Sequence, residues 1–93
     1  MTARIMLEAR LDTSAASKLL TQIDASEGKE LVLDASKVQM LGGLCLEAIL
    51  TAKQRCVQTG IRFQVEDASD VFENDLACLG LQLGDLDAEV LTE

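Results

Sequence analysis

Between Glu30 and Asp34 stands a short, unbroken apolar run, Leu31-Val-Leu33, with a segment of helical period on either side of it. The run is too short for a helix and does not alternate, as expected of a strand buried on both faces. Before it, Ala16, Leu19, Leu20 and Ile23 recur at i, i+3, i+4 and i+7, one apolar face of a helix. Asp12, Thr13 and Ser14 offer side-chain oxygens to cap that helix, and Gly28 breaks it. After the run, Leu46, Ile49 and Leu50 set out a second helix from Gly42-Gly43 to Thr59, and Gly60 stops it. Cys45, Ala48, Ala52 and Cys56 extend its apolar face with small side chains that permit close approach. A buried strand between two helices of this length calls for an α/β domain, mainly parallel, with right-handed crossovers.

The rest of the chain continues the alternation. Residues 4–9 read as a first strand, with room for a short hairpin formed with the residues after it. Ile61, Phe63 and Val65 alternate with Arg62, Gln64 and Glu66, the period of a half-buried strand. Ser69 caps a third helix, Asp70 suits its positive end, and Phe72, Leu76 and Leu79 carry it to Gly80. Leu83, Leu86, Val90 and Leu91 suggest one or two further helical turns. The expectation is one domain over 1–93, with a four- to five-stranded sheet and three to four helices.

Charge and composition narrow the functions. A net charge of −8 argues against nucleic acid and anionic membrane surfaces, which reward clustered Lys and Arg. No apolar run approaches the roughly 20 residues of a membrane span, and Met1-Thr-Ala-Arg-Ile-Met lacks the apolar stretch of a secretory signal. Cys45, Cys56 and Cys78 are odd in number, have no C-x-x-C spacing and fall on helix patterns, so they read as reduced core residues of a cytoplasmic protein. With no His, neither a Cys/His zinc site nor a Cys-His nucleophile is available. With no Tyr or Trp either, general acid–base chemistry falls to carboxylates, Lys and Cys, which form no recognisable catalytic spacing. No catalytic residue, metal or cofactor is expected. Asp34, ending the buried strand, reads as a turn residue or as a carboxylate at the functional end of an α/β sheet. Glu66 and Asp67 read as the lead-in to a helix cap.

The loop into the second helix is the candidate site. Gly42-Gly43 fits neither G-x-G-x-x-G nor G-x-x-x-x-G-K-[ST], and no basic residue follows to hold phosphate. The surrounding residues are unusually apolar, with Met40, Leu41 and Leu44 close together, and apolar residues exposed beside a helix start mark partner surfaces. Leu44 reads equally as contact surface or as core. The candidate partner-binding set is Ser36, Lys37, Met40, Gly42, Gly43 and Leu44.

In element order nearly the whole chain resembles the STAS domain, the family of anti-sigma factor antagonists, and the resemblance is sharpest from Leu31 to Leu50. That family has a buried strand ending in Asp, then Val or Leu, then Asp-Ser-x-Gly-Leu opening a helix. Here Leu31-Val-Leu-Asp34-Ala-Ser-Lys-Val38-Gln-Met40-Leu41-Gly42-Gly43-Leu44-Cys45-Leu46 follows without a gap, and Ala68-Ser69-Asp70 resembles the start of the family's next helix. The family's acid falls on Gly42, its phosphorylated Ser or Thr on Gly43, and its Gly on Cys45. Phosphorylation is therefore not expected at Gly43, and Ser36 is the substitute candidate.

Leu41-Gly-Gly-Leu-Cys-Leu-Glu-Ala-Ile-Leu50 is closer to a Ser-lacking subgroup found in bacterial chemotaxis gene clusters, which carries Leu-Gly-Ala-Gln-Cys-Leu-Gln-Val-Leu in this place. The resemblance implies a non-enzymatic regulatory module that binds a signalling protein such as a histidine kinase or an anti-sigma factor, as a monomer or weak homodimer. The alternative is the cytoplasmic STAS accessory subunit of a phospholipid ABC transporter, a group that keeps a Thr before Gly-Gly-Leu.

Overall fold

A computed structural model of the chain describes residues 2–82, 84 and 86. Five strands and three helices alternate: β1 (Thr2–Met6), β2 (Arg10–Leu11), α1 (Thr13–Ala25), β3 (Glu30–Asp34), β4 (Met40–Leu41), α2 (Gly43–Thr59), β5 (Phe63–Glu66) and α3 (Asp70–Cys78). The fold is α/β, and every strand pair is parallel.

The strands do not form the single sheet of four or five expected from the sequence. β1, β3 and β5 make a three-stranded sheet with β3 in the centre, while β2 and β4 form a separate pair. The division has a local cause. β1 pairs with β3 at a register offset of 28 residues (Thr2 opposite Glu30), whereas β2 pairs with β4 at 30 (Arg10 opposite Met40). The second strand line thus holds two more residues than the first across the break. The surplus is taken up as in a bulge, with the amides of both Gln39 and Met40 donating to the Ala9 carbonyl, at 2.7 and 3.1 Å. Residues 10–11 accordingly pair with β4 and do not fold back on β1 as a hairpin. Met40, expected in a loop, lies in a strand.

The sheet has one core face and one open face. Ala3, Leu31 and Phe63 form one row on the core side, with Ile5, Leu33 and Val65 the next. Leu31, Leu33 and Phe63 are at most 2% exposed. On the other face Arg4 lies level with Val32 and Gln64, and its guanidinium reaches Asp34 at 3.2 Å and Glu66 at 2.7 Å. Met6 on this face is 47% exposed and Val32 only partly buried. The continuous run 30–34 therefore does not mark a strand buried on both faces. Its middle residue lies on a surface lined with ion pairs among the described residues.

The helices begin and end where local chemistry directs. Asp12 caps α1 by accepting from the Ala15 amide, and Ser69 caps α3 by accepting from Phe72. Gly60 ends α2 in the left-handed conformation at φ +69°. Ala15, Ala16, Leu19 and Ile23 face the core from α1; Cys45, Leu46, Ala48, Ile49, Ala52 and Cys56 do so from α2. Three residues depart from the sequence reading. Leu20 is 41% exposed because Leu19 takes the inward position beside it, Leu79 is 47% exposed at the end of α3, and Cys78 is an exposed free thiol. Beyond α3, Leu86 is fully buried; the further helical turns expected around Leu83, Val90 and Leu91 involve residues outside those described. Among the described residues no helix is long and apolar enough to cross a membrane.

Candidate functional site

Asp34 starts the loop that leads to α2. Its carboxylate accepts from the Ser36 amide at 2.9 Å, closing the turn at the end of β3. The Ser36 hydroxyl and amide, and then Arg4, hold this carboxyl below its ordinary value. Asp34 is only 6% exposed and fully engaged, so of its two sequence readings the structure supports the turn residue. The turn raises Ser36 and Lys37 to the surface and returns Val38, 1% exposed, to the core. The Ser69 hydroxyl donates to the Val38 carbonyl at 2.6 Å, tying the loop to the start of α3.

Three bonds fix the approach to α2. The Leu41 amide donates to Asp75 of α3 at 2.9 Å, the Gly42 amide to the Leu11 carbonyl of β2 at 2.8 Å, and the Cys45 thiol to the Asp12 carbonyl at 3.3 Å. Burial, with Asp12 and Glu8 adding to it, pushes the Cys45 thiol up, so it stays protonated and acts as a small packed donor. Gly42 is the N-cap of α2 but offers no side-chain acceptor to the first-turn amides. Its place is set by space: a Cβ here would lie 2.8 Å from the Leu11 carbonyl oxygen. At Gly43, by contrast, a Cβ would meet nothing within 4 Å.

Leu44 is 51% exposed and so is not a core residue, and Met40 is 36% exposed. Leu44 overhangs a groove of about 360 Å³ between α1 and α2, with Leu20 of α1 also lining it. Ala16 and Ala48 form its floor, while Thr13, Ser17 and Thr51 supply hydroxyls and Glu47 a charge. Of the six residues singled out in the sequence, the groove takes in Leu44 alone; Ser36, Lys37, Met40, Gly42 and Gly43 lie outside its lining. The α1 side of this surface was hidden in the sequence, because Leu20 fits a core position by period. The two adjacent leucines Leu19 and Leu20 were the available signal, since one stripe of a helix rarely buries both.

The arrangement offers shape and apolar contact, and among the described residues no group of three or more His, Cys, Asp or Glu side chains is placed to hold a metal ion. Ser36 is exposed, but its hydroxyl is turned to Asp34, so a phosphate there would stand against a carboxylate. No protein-family profile, curated protein or solved structure matched this chain.

Proposed function

We propose that this chain is a STAS-type protein-binding module of a bacterial signalling pathway, which docks its partner on the start of α2 and acts without turnover. The observation that carries the reading is Leu44, 51% exposed in the first turn of α2 beside a groove that Leu20 also lines; the helix's other exposed apolar residue, Val57, lies near its far end, away from this groove. A half-exposed leucine flanked by a second one across a groove is a surface that gains from being covered. The strand–helix order and the gapless run from Leu31 to Leu46 support the STAS assignment. The partner is a signalling protein of the histidine kinase or anti-sigma type.

The module is not switched by phosphorylation at the usual place. Gly43 carries no hydroxyl, and an acid in place of Gly42 would collide with the Leu11 carbonyl.

The test is capture of partners on the full chain, followed by Leu44→Ser and Leu44→Asp. Both variants are expected to fold as the parent does, since an exposed leucine contributes little to stability. Each is expected to lower affinity at least tenfold, and Leu44→Ser separates lost contact from added charge. Partner binding unchanged in both would refute Leu44 as a contact. An ABC ATPase recovered as the stoichiometric partner would instead establish the transporter subunit. Phosphate found on Ser36 after incubation with the adjacent kinase and ATP would overturn the unswitched reading.

A further inference from the structure

The groove beside Leu44 has a definite length. Both α1 and α2 lie on the core face of a parallel sheet and run the same way, and the groove follows their first halves. Its walls extend from Thr13 to Leu20 on α1 and from Leu44 to Thr51 on α2. Each spans seven residue steps, about 10 Å at 1.5 Å per residue, or two helical turns. Four residues further along each helix, Asp24 and Arg55 meet at 2.9 Å and close the groove at that end.

Three observations select the occupant. The first concerns the backbone. Past their first turns both walls bond their own amides and carbonyls within the helix, and the Thr51 hydroxyl is already given to the Glu47 carbonyl at 2.9 Å. An extended segment laid here would bury amides and carbonyls that the groove cannot answer, whereas a helix answers its own. The second is reach. Leu20 and Leu44 are 41% and 51% exposed on opposite walls. A small molecule seated on Ala16 and Ala48 would leave the outer sides of both leucines in water; a helix, about 10 Å across, covers both. The third is charge. Among the described residues Glu47 is the one charged side chain lining the groove, it is exposed, and it enters no ion pair. Lys18 of α1 is engaged with Glu8 at 3.0 Å. A basic flank on the occupant is therefore complementary, and an acidic one is not. A second copy of the chain fits poorly on this count. Pairing two grooves about a two-fold axis brings Glu47 of each into one acidic contact, and α3 opens with Asp70 and Glu73.

We infer that this groove receives an amphipathic helix of a partner protein, which sets two aliphatic residues four positions apart between Leu20 and Leu44 and a Lys or Arg against Glu47. The inference rests on the partner-binding reading of Leu44 and specifies what the partner presents there.

The experiment is an amide NMR titration of the full chain with three alanine-based peptides of about 18 residues. One carries two leucines four positions apart with lysines on their flanks. The second has glutamates for the lysines, and the third keeps the lysines but has a proline between the leucines, which breaks the helix. The lysine helix is expected to shift the amides of Ser17, Leu20, Glu47 and Thr51, with half-saturation at roughly 1 mM. The other two are expected to bind at least tenfold more weakly. Glu47→Lys, a change at an exposed side chain, is expected to reverse the order of the lysine and glutamate helices. No shift with the lysine helix, equal binding of the three peptides, shifts centred outside the groove, or an order that Glu47→Lys leaves unchanged would each overturn the inference. So would a dimer of the free chain that Leu44→Asp dissolves. If partner capture is nevertheless lost in Leu44→Ser, the Leu44 surface stands and only the helix is removed, so the two failures are distinct.

Discussion

Gly42 and Gly43 are neighbours in sequence but should respond in opposite ways to a single added methyl group. At Gly42 the new Cβ would stand 2.8 Å from the Leu11 carbonyl oxygen. The obstacle is backbone, and it is held there by the amide it would have to escape, since Gly42 N–H donates to that same oxygen at 2.8 Å. Leu11 cannot yield easily, because it pairs with Leu41 and precedes Asp12, the cap of α1. Overpacking of this kind costs about 1–3 kcal/mol. Replacing Gly by Ala at an N-cap adds roughly 0.5–1 kcal/mol. The stiffer unfolded chain returns about 0.4–1 kcal/mol, and with φ at −88° there is no left-handed strain to add. Gly42→Ala should therefore destabilise the domain by about 1–3 kcal/mol, lowering Tm by roughly 5–20 °C for a chain of this size. Gly43→Ala, with open space around it, should be neutral or stabilising by up to about 1 kcal/mol. Gly42→Asp recovers about 1 kcal/mol of capping but should still fall below the parent. Urea unfolding of the four proteins at one pH gives the comparison. A Gly42→Ala variant within about 0.5 kcal/mol of the parent would refute the close-approach argument.

Other consequences are open to measurement. Asp75→Ala removes the acceptor of the Leu41 amide, whose residue is 6% exposed, and should cost about 1–3 kcal/mol by urea titration; a smaller loss would mean that β4 does not depend on α3. In the native protein a thiol reagent should modify Cys78 rapidly and leave Cys45 and Cys56 protected until unfolding, so three equally fast thiols would contradict the packing. The Asp34 carboxyl is held low in the folded chain by Ser36 and Arg4, so its ionised form favours folding. Its contribution is complete above the ordinary carboxylate value of 3.8 and is lost as the pH falls through the lower folded value. Asp34→Asn should therefore be less stable than the parent at pH 7, with the gap closing below roughly pH 4. A gap that does not change with pH would show that the ionised form is not what matters.

Most of the architecture was legible because its signals are local. Asp12, Ser69 and Gly60 announced three helix boundaries through side-chain oxygens and a missing Cβ, and each acts there as its chemistry requires. What was not legible depends on comparing segments far apart. The run Leu31-Val-Leu33 is apolar throughout, yet Val32 shares its face with Arg4, Asp34 and Glu66, and only strand register reveals that neighbourhood. The split of the sheet is likewise a difference of two residues between the segments joining β1 to β2 and β3 to β4. Neither segment shows it alone.

The same distinction applies to the candidate site. A Gly-Gly pair before an apolar helix is visible in the sequence, where it reads as part of a partner surface at a switch position without its hydroxyl. In the fold the two glycines are unlike. Gly43 is surrounded by space and could carry a hydroxyl, whereas Gly42 is fixed by a carbonyl from β2, 31 residues earlier in the chain. A serine placed at Gly43 would therefore add an acceptor to the helix start, but an acid at Gly42, as in the STAS pattern, could not be placed without moving β2. On the reading proposed above, the surface at Leu44 acts through shape and apolar contact, because the Leu11 carbonyl occupies the space that an acid at Gly42 would need.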